Sequence, residues 1–144
     1  MSNVSFHGTD AASALKIVGP PPSVDVNMGK GELGKGFYTG SSIALAAIWA
    51  QLRYGQNAVV IEFEIPKPRF VQLKGYTVKT QVEVFDGWTA LKSTSETTTF
   101  SFGYDYIIAP FATIEEIGHQ YKFESQKAED ELNASNKSVY PCAS

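Results

Sequence analysis

The sequence predicts an α+β domain on three observations: a few short helical stretches, many short strand-like runs, and a single chain of 144 residues, the usual size of one domain. Val4 to Phe6, closed by His7, predicts an opening strand. Asp10 then stands where a side-chain oxygen caps a helix over Ala11 to Val18, with apolar Ala14, Leu15, Ile17 and Val18. Gly19-Pro20-Pro21-Pro22 ends it, because proline continues no helix and restricts the residue before it. A glycine-rich loop leads to a short strand or turn at Phe37-Tyr38-Thr39. Ser41 or Ser42 caps the next helix, Ile43 to Arg53, where Ile43, Ala46, Ala47 and Ala50 recur on one face.

AVVIEFEIP, residues 58 to 66, is β-branched and aromatic and alternates apolar with acidic, the pattern of a strand with one solvated face. From Pro68 to Ser101 the threonines, valines and glycines predict strands and an exposed loop. Tyr104 to Ala109 and Gln120 to Phe123 predict two further strands, and Ser125 opens a polar helix through Leu132. Residues 1–132 are expected to form the domain, and 133–144 a polar, frayed tail.

Composition excludes several function classes. A hydrophobic fraction of 43% with 19% charged residues is that of a soluble globular chain, and no apolar run approaches the ~20 residues of a membrane span. Net charge is −3 with no basic block, so no general nucleic-acid surface is expected. One cysteine, Cys142, and two histidines leave no internal disulfide and little for a zinc site, so no metal is expected. MSNVSFHGTD lacks the basic start and apolar stretch of a signal peptide. The expected location is the cytoplasm, or delivery as an effector without a classical signal peptide.

GKGELGKGFYTG, residues 29 to 40, runs G-x-x-x-x-G-K from Gly29, one residue short of a phosphate-binding P-loop. That loop needs a hydroxyl directly after its lysine to ligate magnesium, and a helix next to it in the chain. Here Gly36 succeeds Lys35, then Phe37-Tyr38, so a nucleotide triphosphatase is not expected. His7-Gly8-Thr9, the Gly34 to Tyr38 turn, Trp49 and Gln120 remain as candidates for chemistry. Singly each has a bland reading as turn, flexible loop or core.

Taken in order, strand–His-Gly-Thr–helix, then Gly-Lys-Gly-Phe-Tyr, then an aromatic eleven residues after Tyr38, the chain resembles the ADP-ribosyltransferase superfamily. The similarity is to its histidine-tyrosine-glutamate branch, which includes the PARP and diphtheria-toxin-like enzymes. It covers residues 5 to 65 well and 104 to 132 more loosely. The resemblance implies a mixed fold of two packed, mainly antiparallel sheets with a few short helices. It implies NAD as substrate, with cleavage of the nicotinamide–ribose bond and transfer of ADP-ribose to a protein or other macromolecular acceptor. His7 would hold the adenosine ribose, and Gly8 the nicotinamide carboxamide through its main chain, with the histidine-glycine pair ending the first strand. Thr9 and Gly36 flank these positions in the NAD-binding set. Tyr38 would line the nicotinamide pocket, and Trp49, where PARP-type enzymes have a second tyrosine, would stack on the pyridinium ring.

Two positions depart from the family pattern. A serine that helps hold the carboxamide is replaced by Ala46, and the late-strand glutamate by Gln120 of QYKF. Glutamine hydrogen-bonds a ribose hydroxyl but is no general base. The catalytic set implied is therefore Gln120, Tyr38 and His7, with other carboxylates available: Glu115 and Glu116 on the preceding loop, and Glu124. Glu62 and Glu64 form an E-x-E pair that suits either a solvated strand face or the superfamily's arginine-directed branch. Three activities fit: a transferase, an NAD glycohydrolase on the same fold, and a binding module that no longer cleaves NAD. A toxin module, an effector and a housekeeping modifier fit equally.

Overall fold

A computed structural model describes residues 1–29, 31–112 and 118–142. In chain order its elements are β1 (Ser2–Asp10), α1 (Ala11–Val18), β2 (Phe37–Gly40), α2 (Ile43–Tyr54), β3 (Ala58–Pro66), α3 (Lys67–Phe70), β4 (Gly75–Thr77), α4 (Gln81–Ser93), β5 (Tyr106–Ala109), β6 (Gln120–Phe123), α5 (Gln126–Ala134) and β7 (Asn136–Pro141). The chain is mixed α+β. Among the described residues the strands take one hydrogen-bonded order, β4-β5-β6-β2-β1-β3-β7, where the resemblance implies two packed sheets. Two compact units divide the chain: Met1–Val24, Thr39–Gln72 and Asp130–Ser144 form the first, Asp25–Tyr38 and Leu73–Glu129 the second.

In the first unit β3 is central. It pairs antiparallel with β1 from Ser2↔Pro66 to Asp10↔Ala58, and with β7 from Val59↔Pro141 to Glu64↔Asn136. Its first four residues are buried without a break, and then Glu62 and Glu64, half-buried, alternate with buried Phe63 and Ile65. Strand β7 occupies the stretch expected to be a frayed tail. Polar composition reads as disorder, but the outer edge of β3 carries backbone donors and acceptors that a neighbouring strand satisfies. Asp10 caps α1 by accepting the Ser13 N–H at 3.3 Å, and Ser42 caps α2 by accepting the Leu45 N–H at 3.1 Å, as their positions in the sequence predict.

Helix α2 packs on β1 and β3. The approach is close at Gly8, where an added Cβ would stand 2.6 Å from the Ala46 carbonyl oxygen and 3.0 Å from the Ala50 Cβ. Small residues on both sides thus let the helix backbone reach the strand.

In the second unit β4 and β5 pair in parallel, Gly75↔Tyr106 to Thr77↔Ile108, and β5 pairs antiparallel with β6, Tyr106↔Phe123 to Ala109↔Gln120. A parallel pair needs a crossover, and α4 supplies it. Of the strands expected from Pro68 to Ser101, β4 is present, and much of the rest is helix α4, whose start is a capping pair. The Thr80 hydroxyl accepts the Glu83 N–H at 3.1 Å and lies 3.0 Å from Glu83 Oε1. Val84 and Trp88, one turn apart, then join a core of Leu33, Val78, Ile107, Ala109 and Ala112. No helix among the described residues is long and apolar enough to cross a membrane.

Candidate functional site

Strand β6 is unusual in what it buries. The two-residue period puts Gln120 and Lys122 on one face, and Glu124 comes next on the same side. All three are polar and all three are inside: Gln120 is 3% exposed, Lys122 0% and Glu124 8%. Such groups are tolerated only when paired or hydrogen-bonded. Apart from the Lys122–Glu124 contact, their partners come from the glycine-rich loop before β2 and from the segments on either side of β5, all within the second unit.

Gln120 donates from Nε2 to Glu32 Oε1 at 2.9 Å and to the Pro110 carbonyl at 3.0 Å. The same Glu32 oxygen accepts the Ala112 N–H at 2.8 Å. Two residues beyond Gln120, the Lys122 ammonium lies 2.5 Å from Glu124 Oε1, a charge contact without hydrogen-bond alignment, and 5.0 Å from the centre of the Phe102 ring. Desolvation pulls the Lys122 ammonium below its ordinary pKa, and Glu124 opposes that pull. Glu124 also accepts the N–H groups of Phe102, Gly103 and Tyr104 at 3.2, 2.7 and 3.1 Å. Both its oxygens are therefore engaged, by the turn and by Lys122.

The loop lies directly on that polar face. A Cβ at Gly36 would fall 2.5 Å from Lys122 Cγ, so glycine is the residue that lets the loop backbone rest on the lysine stem. The chain leaves Gly36 as strand β2 and not as a helix, which agrees with setting the P-loop aside. Tyr38 folds back on its own loop: its hydroxyl donates to the Gly34 carbonyl at 2.5 Å and accepts the Leu33 N–H at 3.0 Å. Burial, reinforced by the carboxylates of Glu32 and Glu124, raises the phenol well above its ordinary pKa. Tyr38 is thus a neutral phenol with a structural duty.

The remaining candidates belong to the first unit. His7, Gly8 and Thr9 sit within β1, opposite Ile61, Val60 and Val59. The strand continues to Asp10, so the histidine-glycine pair is internal where the resemblance puts it at the strand end. Thr9 is buried, with its hydroxyl 3.5 Å from Asp10 Oδ1. The face of Gly8 where a side chain would stand is covered by α2, so packing alone accounts for the glycine. Trp49 is 41% exposed, more open than an ordinary core tryptophan. A shallow groove of about 600 Å³ in this unit is lined by Ala11, Gln51, Gln56, Asn57, Pro141 and Cys142 among others, and by none of the candidates.

Glu115 and Glu116 lie outside the described residues. Glu62 Oε1 accepts the Tyr140 hydroxyl at 3.2 Å across the β3–β7 pair, an exposed strand contact. Among the described residues no cluster of three or more histidine, cysteine or acidic side chains is arranged to hold a metal. Glu32 and Lys122 are the residues that sequence reasoning missed. Glu32 sits inside the loop that drew attention for its glycines and lysines, and a single glutamate there carries no motif of its own. Compared with protein-family models and with curated proteins, the chain matches none.

Proposed function

We propose that the chain is an NAD-dependent ADP-ribosyltransferase, cleaving the nicotinamide–ribose bond and passing ADP-ribose to a protein or other macromolecular acceptor. The observation that carries this reading is the 2.9 Å bond from Gln120 to Glu32. It joins the glycine-rich loop, two residues before Gly-Lys-Gly-Phe-Tyr, to the start of the QYKF strand, so a segment from the well-matched part of the resemblance meets one from its looser part. Loss of nicotinamide leaves positive charge on the ribose, so a site that cleaves it needs a fixed acceptor group near the sugar. A buried strand start bearing Gln120, with a carboxylate beside it, has that character.

A second reading has its own support. Both Nε2 bonds of Gln120 and both functions of the Tyr38 hydroxyl are spent within the second unit, which favours a module that binds NAD or ADP-ribose without cleaving it. An NAD glycohydrolase, with water as acceptor, differs from the transferase only in the acceptor. Nicotinamide release by the purified protein, run beside a calorimetric NAD titration, separates these. Release that needs no second macromolecule supports the hydrolase, and release that needs one supports the transferase. Binding without release, with acceptors supplied, supports the module, and neither binding nor release removes the reading.

A further inference from the structure

We propose that Glu32 is the carboxylate of this reaction, taking the place of the glutamate that β6 lacks, with Gln120 as its positioning residue. This rests on the NAD-cleaving reading above. Cleavage of a glycosidic bond to nicotinamide calls for a group that steadies the developing ribosyl cation and accepts a proton from the incoming hydroxyl. Glutamine at position 120 cannot accept that proton, having no titratable acceptor. Among the carboxylates of the second unit, Glu124 is saturated by Lys122 and three backbone N–H groups. Glu32 is different. Its two hydrogen bonds, from the Ala112 N–H and from Gln120 Nε2, both fall on Oε1. Oε2 takes no hydrogen bond among the described residues, and no lysine or arginine among them pairs with Glu32. Two donors on one oxygen orient the carboxylate and leave the second oxygen to take the proton.

In the step this implies, the ribose C1′–nitrogen bond breaks with its electron pair going to nicotinamide, which leaves neutral. The acceptor oxygen, of water or a macromolecular hydroxyl, forms the new bond to C1′. Its proton passes to Glu32 Oε2 and then to solvent, so NAD and acceptor become nicotinamide, ADP-ribosylated acceptor and one proton. Gln120 acts through Glu32 by holding Oε1.

Glu32→Gln separates chemistry from scaffolding, because its amide oxygen still accepts from Ala112 and Gln120. Nicotinamide release is expected to fall about 100-fold or more, the size of effect of losing a positioned base. NAD affinity by calorimetry should change less than about threefold, since the contact acts in the transition state. The exchange variant Glu32→Gln/Gln120→Glu, which restores a carboxylate to the same pair, should recover at least a tenth of the rate, within the order-of-magnitude range of a repositioned acid–base group. Should Glu32→Gln unfold, Glu32→Asp decides: it keeps the charge one methylene short, and a rate lowered about tenfold with the fold intact is expected. Full activity in folded Glu32→Gln or Glu32→Asp, or loss that merely tracks loss of NAD binding, overturns the assignment. If the wild-type protein binds NAD or not but releases no nicotinamide with any acceptor, the enzymatic reading itself fails and this assignment with it.

Discussion

In the first unit the buried polar residues are the uncharged Ser5, Thr9 and Thr39, and the centre is hydrocarbon: Val60, Ile61, Phe63 and Ile65 of β3 are closed off by strands on both edges and by a helix laid against Gly8. In the second unit an apolar core around Leu33 and Ile107 is joined by Gln120, Lys122 and Glu124 on one buried strand face. The contrast matters for what each interior specifies. Apolar burial is non-directional and tolerates many arrangements of similar volume. A buried amide, ammonium and carboxylate demand partners at defined distances, so they dictate where the 31–38 loop and the 102–104 turn must lie. Binding and catalysis need such placement, and the polar interior is where it is found.

The comparison breaks most readily at Phe63. Its truncation to alanine should lower stability by about 3–5 kcal/mol, from lost burial plus the cavity left behind, read as a lower denaturant midpoint. A loss below about 1 kcal/mol would mean that the first unit does not depend on its apolar centre as described. Next in size, Glu124→Gln should cost about 3 kcal/mol in the same assay, because it leaves the Lys122 ammonium buried without its counter-charge. A neutral result would show that Lys122 is already uncharged in the folded protein. Gly8→Ala comes third, at about 1–3 kcal/mol, since the new methyl meets helix backbone and not a side chain that can swing away. A wild-type midpoint in that variant would show that α2 shifts freely on β1.

The smallest effect is one of pH. Desolvation lowers the folded-state pKa of Lys122 below the ordinary 10.5, so the folded state disfavours its charged form relative to the unfolded chain. That cost is fully present below the folded pKa and fades as pH rises toward 10.5. Wild-type stability measured against Lys122→Met should therefore improve as pH rises through this window. A difference that is flat, or that runs the other way, would show that the ion pair outweighs desolvation.

Much of the fold was legible where signals are local. Asp10 and Ser42 announce α1 and α2 because a capping oxygen acts within three residues of itself, and β3 announces itself by alternation. The strand at Gln120–Phe123 and the helix after Ser125 were visible for the same reason. Helix α4 was missed although Thr80 and Glu83 form a cap, since its valines and threonines have the composition of strands. Only the spacing of Val84 and Trp88, set against a core from elsewhere, selects the helix. Strand β7 was missed because Asn136–Pro141 has no apolar alternation of its own and depends on the free edge of β3. At the candidate site, the roles of Gly36 and Tyr38 as parts of the loop's own architecture were hidden behind their place in a motif.

Residue order alone was enough for the α+β class, most element boundaries, the rejection of a P-loop, and the positions that resemble an ADP-ribosyltransferase. These depend on neighbours a few residues apart. It took the folded chain to show that Glu32 meets Gln120, 88 positions away, that the buried stem of Lys122 lies against Gly36, and that Glu124 is occupied. A side chain's partner across such a separation leaves no periodicity in the chain, because it arises only when the fold brings two distant segments to the same face.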